Sequence, residues 1–131
     1  MTLREAQVVF IKNVQLLISK IFEDGYECTY GETWRPYVMA WINAKPKGCI
    51  LKIESMSGVE SVYPEKVGGT GVLTSLHIHR CAVDLNLFKD GSYLTTSESH
   101  KPFGDYWETL HLMNRWGGRW HDGNHYEMNW K

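Results

Sequence analysis

Two short stretches of this chain concentrate side chains that can bind a metal or move a proton. SLHIHRCAVD at 75–84 carries His77, His79 and Asp84, and HDGNHYE at 121–127 carries His121, Asp122 and His125. Together they hold four of the chain's six histidines. A catalytic zinc takes three protein ligands, usually imidazoles or carboxylates, and keeps a further position for water or substrate. Several triplets drawn from these candidates satisfy that rule. His77 and His79 would share one face of a strand, and His121 and His125 one face of a helix. Asp84 stands at an odd offset from His77, so the two reach one metal only if the chain kinks near Arg80–Cys81. Spacing alone leaves the choice open, and hydrogen-bonded structural or surface histidines are the plainer alternative.

The elements that must position these groups read as follows. Thr2 and Glu5 form a capping box, after which Phe10, Val14, Leu17 and Ile21 share one helical face, with Gly25 as the stop. YECTY at 26–30 predicts a short strand. Pro36 suits the first turn of a second helix that ends before Gly48. Residues 52–72 carry Gly58, Gly68, Gly69 and Gly71 and few large apolar groups, so they are expected to be mostly loop, a candidate cleft wall. VLTSLHIH and AVDLNLF read as strands around a short irregular piece, and Lys89-Asp90-Gly91-Ser92 as a hairpin turn. A third helix is expected from Asp105 to Trp116, closed by Gly117-Gly118, and a last, alternating strand in YEMNW. Helices in front of a β-rich half make the chain α+β, and no linker or repeat divides it, so 1–131 is expected to be one domain.

Bulk properties exclude several classes. The net charge is −1, which offers no basic field for nucleic-acid phosphates. Cys28, Cys49 and Cys81 are odd in number and lack CxxC spacing, which argues against a disulfide framework. The first twenty residues are broken by charges and lack a small-residue cleavage site, so neither a signal peptide nor membrane insertion is expected. A zinc nucleobase deaminase is disfavoured because the Pro-Cys-x-x-Cys half of its signature is missing.

Taken together, Ser75-x-His77, Ala82-x-Asp84 and the later Asp122-x-x-His125-Tyr126-Glu127 resemble the motifs of zinc D,D-carboxypeptidase-like peptidases. GETWR at 31–35 resembles the segment that supplies that family's active-site arginine. DLNLFKDGSY and YWETLHLMNRWGG resemble the branch of phage endolysins that are L-alanyl-D-glutamate peptidases. The resemblance spans residues 29–130. It implies a D,D-peptidase/hedgehog-like fold, N-terminal helices on a mainly antiparallel sheet that carries a zinc site. It makes His77, Asp84 and His125 the Zn2+ ligands, Asp122 the general base and Arg35 the transition-state arginine, with His79 and His121 as bystanders. The chain departs from much of the family in carrying Asp rather than Glu at 122 and Arg rather than Gly at 80.

The activity so implied is hydrolysis of the L-Ala–D-Glu bond of the peptidoglycan stem peptide by a phage lysin. Such a monomer would wait in the host cytoplasm until a holin-type protein releases it to the periplasm and cell wall. Alternatives are a D,D- or L,D-carboxypeptidase on the same stem peptide, or a non-catalytic, zinc-stabilised wall-binding module. Glu127 could orient a ligand imidazole or sit solvated at a strand edge. Ser75 is read as a turn cap. Trp107, Trp116 and Trp120 could line a sugar groove, though core is the simpler reading. Asp90 and Asp105 could join a second cation site, or serve a turn and a helix cap.

Overall fold

The computed structural model describes residues 1–54, 60–69 and 73–131. Helix α1, Leu3–Glu23, begins at the capping box: Thr2 N donates to Glu5 Oε2 at 2.7 Å, and Glu5 N donates to Thr2 Oγ1 at 3.2 Å. Gly25, at φ 81°, turns the chain out of the helix. Strand β1 is Glu27–Tyr30, and α2 is Tyr37–Asn43, capped by Pro36. Strands β2, Cys49–Glu54, and β3, Glu60–Val67, pair antiparallel. Next come β4, Ala82–Lys89, and β5, Ser92–Tyr93, joined by the expected tight turn with Asp90 and Gly91 both at positive φ. Helix α3 is Lys101–Leu110, β6 is Asn114–Trp116 and β7 is His125–Met128.

The main sheet runs β1-β4-β7-β6, with β5 also on β4, and its described pairings are antiparallel. Helices α1 and α3 cover one face. Phe10, Val14, Leu17 and Ile21 of α1 meet Val83, Leu85 and Leu87 of β4, Tyr126 and Met128 of β7, and Phe103 and Trp107 of α3. Phe10 and Trp107 meet edge to face at 5.7 Å. The α+β expectation holds.

Strand alternation then dictates the other face. If Val83 and Leu85 point to the helices, Asp84 points away; if Tyr126 and Met128 point to the helices, His125 and Glu127 point away. The register places Asp84 opposite His125, and Arg115 of β6 opposite Glu127. The sheet therefore presents four chemistry-bearing residues on the face its helices leave open.

Four expectations are corrected. Residues 76–79 form a 3-10 turn rather than a strand, because Ser75 caps His77 N and Arg80 closes the turn at φ 54°. The loop expected at 52–72 contains most of the β2–β3 pair; of that stretch, 55–59 and 70–72 lie outside the described residues. The third helix starts at Lys101 and stops at Leu110. Residues 114–116 instead pair with β7, and Trp107 Nε1 donates to the Arg115 and Glu127 carbonyls, both at 3.1 Å. Last, β7 is buried throughout rather than alternately, since its outward side chains pack into the site.

Candidate metal centre

His77 arrives from the 3-10 turn, Asp84 from the middle of β4 and His125 from the start of β7. Arg80 supplies the kink that parity demanded. Its left-handed backbone suits glycine better than arginine, and its guanidinium lies over the Trp34 ring at 4.7 Å. The three side chains converge. His77 Nε2 is 3.2 Å from Asp84 Oδ1, His125 Nδ1 is 3.1 Å from the same oxygen, and the two nitrogens are 3.2 Å apart. Tetrahedral ligands at ordinary zinc bond lengths stand about 3.3 Å from one another. The triangle thus has the size and the N,N,O donor set that zinc requires. Among the described residues no other three His, Cys, Asp or Glu side chains gather this closely.

The electrostatics agree. Burial alone would raise the Asp84 carboxyl, but hydrogen bonds from His125 and His77 more than offset it and hold the value at about 2. Burial opposes charge on His125, yet Asp84 and Glu127 lift it to about 9. Without a metal, protons neutralise this cluster; a divalent cation would take their place.

The surroundings are organised around the triangle. His125 Nε2 lies 2.8 Å from Glu127 Oε2, and Glu127 pairs through its other oxygen with Arg115. Glu127 is buried, so the strand-edge alternative is excluded. On the other side, Glu32 Oε1 is 2.6 Å from Arg35 and 3.6 Å from His77 Nδ1. The 31–35 segment is laced to the ligands by backbone bonds: Gly31 N to Asp84 O and Asp84 N to Glu32 O, both 2.8 Å, and Arg35 N to His77 O, 3.2 Å. A Cβ on Gly31 would stand 3.1 Å from Asp84 Cβ, so glycine permits the approach. Sequence reasoning missed Glu32, although it lies inside the GETWR segment.

Asp122 stands on the loop before β7. Its amide donates to Gly117 O at 2.9 Å, and its carbonyl accepts from His125 N at 3.1 Å. Trp116 Nε1, donating to Gly123 O at 2.7 Å, and Ser97 Oγ, accepting from Gly123 N at 2.9 Å, pin the loop. Asp122 is exposed, yet desolvation by the cleft walls raises its carboxyl; His125 opposes the rise, and the Asp84 charge adds to it. Asp122 and Arg35 both line an open cleft of about 920 Å³ around the triangle, with Gly68, Gly69 and Trp120 on its walls. Gly68 and Gly69 bear out part of the wall expected from the glycine-rich stretch.

The remaining candidates fall outside the triangle. His79 Nε2 contacts Lys131 Nζ at 3.1 Å, and His121 is exposed at φ 64°. Ser75 caps the turn, Trp107 and Trp116 are core, and Trp120 is half-exposed at the cleft. Asp90 occupies its turn, while Asp105 pairs with Lys101 and Arg119 rather than capping a helix. Cys81 is a buried thiol pushed up to about 11 by burial. No helix among the described residues is long and apolar enough to cross a membrane.

Residues 68–128, just under half of the chain, match the family model described as D-alanyl-D-alanine carboxypeptidase. That stretch contains His77, Asp84, Asp122 and His125. No curated protein matches the chain. The match supports a place among the zinc D,D-carboxypeptidase-like peptidases, and with the His/Asp/His group it marks the protein as a zinc metallopeptidase acting on peptidoglycan.

Proposed function

We propose that the protein is an endopeptidase that hydrolyses the L-Ala–D-Glu bond of the peptidoglycan stem peptide, with His77, Asp84 and His125 as the Zn2+ ligands. The observation that carries the reading is the donor triangle at the floor of a cleft whose walls include both Asp122 and Arg35. Bound there, Zn2+ supplies a Lewis acid that makes water nucleophilic near neutral pH and polarises the scissile carbonyl. Asp122 accepts the proton of the attacking water on its carboxylate and returns it to the leaving amine. Its place in the cleft but outside the ligand triangle leaves its carboxylate free to carry a proton. Arg35, oriented by Glu32, offers its guanidinium to the carbonyl oxygen as negative charge develops.

The choice of bond is supported by the resemblance of residues 84–93 and 106–118 to the phage endolysin branch. In this reading the enzyme is monomeric. It waits in the host cytoplasm and reaches the wall after a holin-type protein opens the membrane. The second reading, a carboxypeptidase on the same stem peptide, is favoured by the description of the matching family.

Mass spectrometry of peptidoglycan fragments after incubation with zinc-loaded protein decides between them, with Asp122→Ala run alongside. New D-Glu amino termini from the wild type alone support the endopeptidase. Release of terminal D-Ala replaces it with the carboxypeptidase, and no cleavage despite bound zinc overturns the catalytic reading.

A further inference from the structure

We infer that Glu127, gripped by Arg115, is a positioning residue that determines which ring nitrogen of His125 faces the metal. The inference rests on the proposed reading of His125 as a ligand.

The residues are brought together by sheet geometry. His125 and Glu127 are two apart on β7 and share its open face, and Arg115 on β6 lies directly opposite Glu127. Ala82, the β4 neighbour of Glu127, is small enough to leave the carboxylate room. A buried carboxylate is costly unless both oxygens find partners. Here Oε1 pairs with Arg115 and Oε2 lies 2.8 Å from His125 Nε2.

An ionised carboxylate can only accept hydrogen bonds, so Nε2 must carry a proton. When a cation displaces the ring's other proton, the lone pair it meets is therefore that of Nδ1, the atom 3.1 Å from Asp84 Oδ1 and 3.2 Å from His77 Nε2. One bond therefore sets both the orientation and the tautomer of the ligand. Arg115 holds Glu127 aimed at the ring, and it lines the cleft itself. His77 provides an internal contrast. The carboxylate behind it, Glu32, is 3.6 Å from Nδ1, beyond hydrogen-bond length, so the 3-10 turn and close burial hold that ring instead.

The test combines zinc affinity, by competition with a chromophoric chelator, with histidine-ring 15N NMR of the zinc-loaded protein and thermal midpoints of the metal-free forms. In the wild type, His125 should show a metal-bound Nδ1 and a protonated Nε2. Glu127→Ala should weaken zinc binding about 10–100-fold. Glu127→Gln, which keeps an acceptor oxygen and the side-chain volume, should restore part of that loss; Arg115→Ala should weaken binding by less than Glu127→Ala. Unchanged affinity and an unchanged His125 tautomer in Glu127→Ala, whatever happens to the thermal midpoint, would reduce Glu127 to a structural ion pair and overturn the inference alone. A wild-type protein whose His125 shows no metal-bound nitrogen would overturn the ligand reading, and the inference with it.

Discussion

Asp84 and His125 face each other directly across the β4–β7 ladder, and their side chains meet at 3.1 Å on the face of the sheet turned away from the helices. Antiparallel pairing brings such partners within side-chain reach without any loop closing over them. Two of the three candidate ligands are thus held by sheet register, and only His77 depends on a turn. That division makes the centre rigid where it must be.

Zinc should stabilise the folded protein, since the triangle exists only when β4, β7 and the 76–79 turn are assembled. At free zinc of 100 times Kd the gain is about 2.7 kcal/mol. Calorimetry with and without zinc should show a raised unfolding temperature in the wild type and none in His77→Ala. The same substitution should cost more affinity than the roughly 10–100-fold expected for residues behind a ligand.

Asp122→Asn should separate binding from catalysis. Asp122 lies outside the triangle, so zinc content measured by atomic absorption should stay near that of the wild type. Loss of the base should lower kcat about 10²–10⁴-fold on purified peptidoglycan. A zinc-replete variant with wild-type turnover would assign the proton transfer to another group.

Gly117→Ala should disturb the loop that joins base and ligand. A Cβ there would overlap the Asp122 carbonyl oxygen and stand 2.8 Å from His125 Cβ. Overpacking of this kind costs roughly 1–3 kcal/mol, readable by urea unfolding, and zinc affinity should fall with it.

His100 should make stability fall with acid. It is buried, and that burial lowers its pKa to about 4; its Nδ1 lies 2.9 Å from the Tyr126 hydroxyl. The unfolded chain takes up this proton near pH 6.5, while the folded protein resists until about 4, so the unfolded state binds more protons between those values. Stability is full above about pH 6.5 and is lost as pH drops toward 4, by on the order of 3 kcal/mol. Unfolding free energies of wild type and His100→Asn across that range should converge toward low pH as the histidine penalty accumulates.

Much of this was legible in one dimension because it depends on local chemistry. The capping box of α1, its apolar stripe, the Asp90-Gly91 turn and the cap at Ser75 are decided by neighbours a few residues away. The odd offset between His77 and Asp84 required a kink near Arg80, and the left-handed residue is there. The motif resemblance also singled out the three side chains that converge, where spacing could not exclude His79 or His121.

Tertiary structure decided the rest, because strand pairing is a contract between distant segments. Residues 114–116 have the composition of a helix end, yet β7 and the Trp107 indole claim their backbone groups and make them a strand. That pairing sets Arg115 opposite Glu127, which no sequence period could reveal. Glu32 likewise acquires a role only because Gly31 lets its segment lie against Asp84. The sequence by itself determined which side chains were available and how each local turn would bend. The sheet register, fixed by burying one face against α1 and α3, decided which of them would meet.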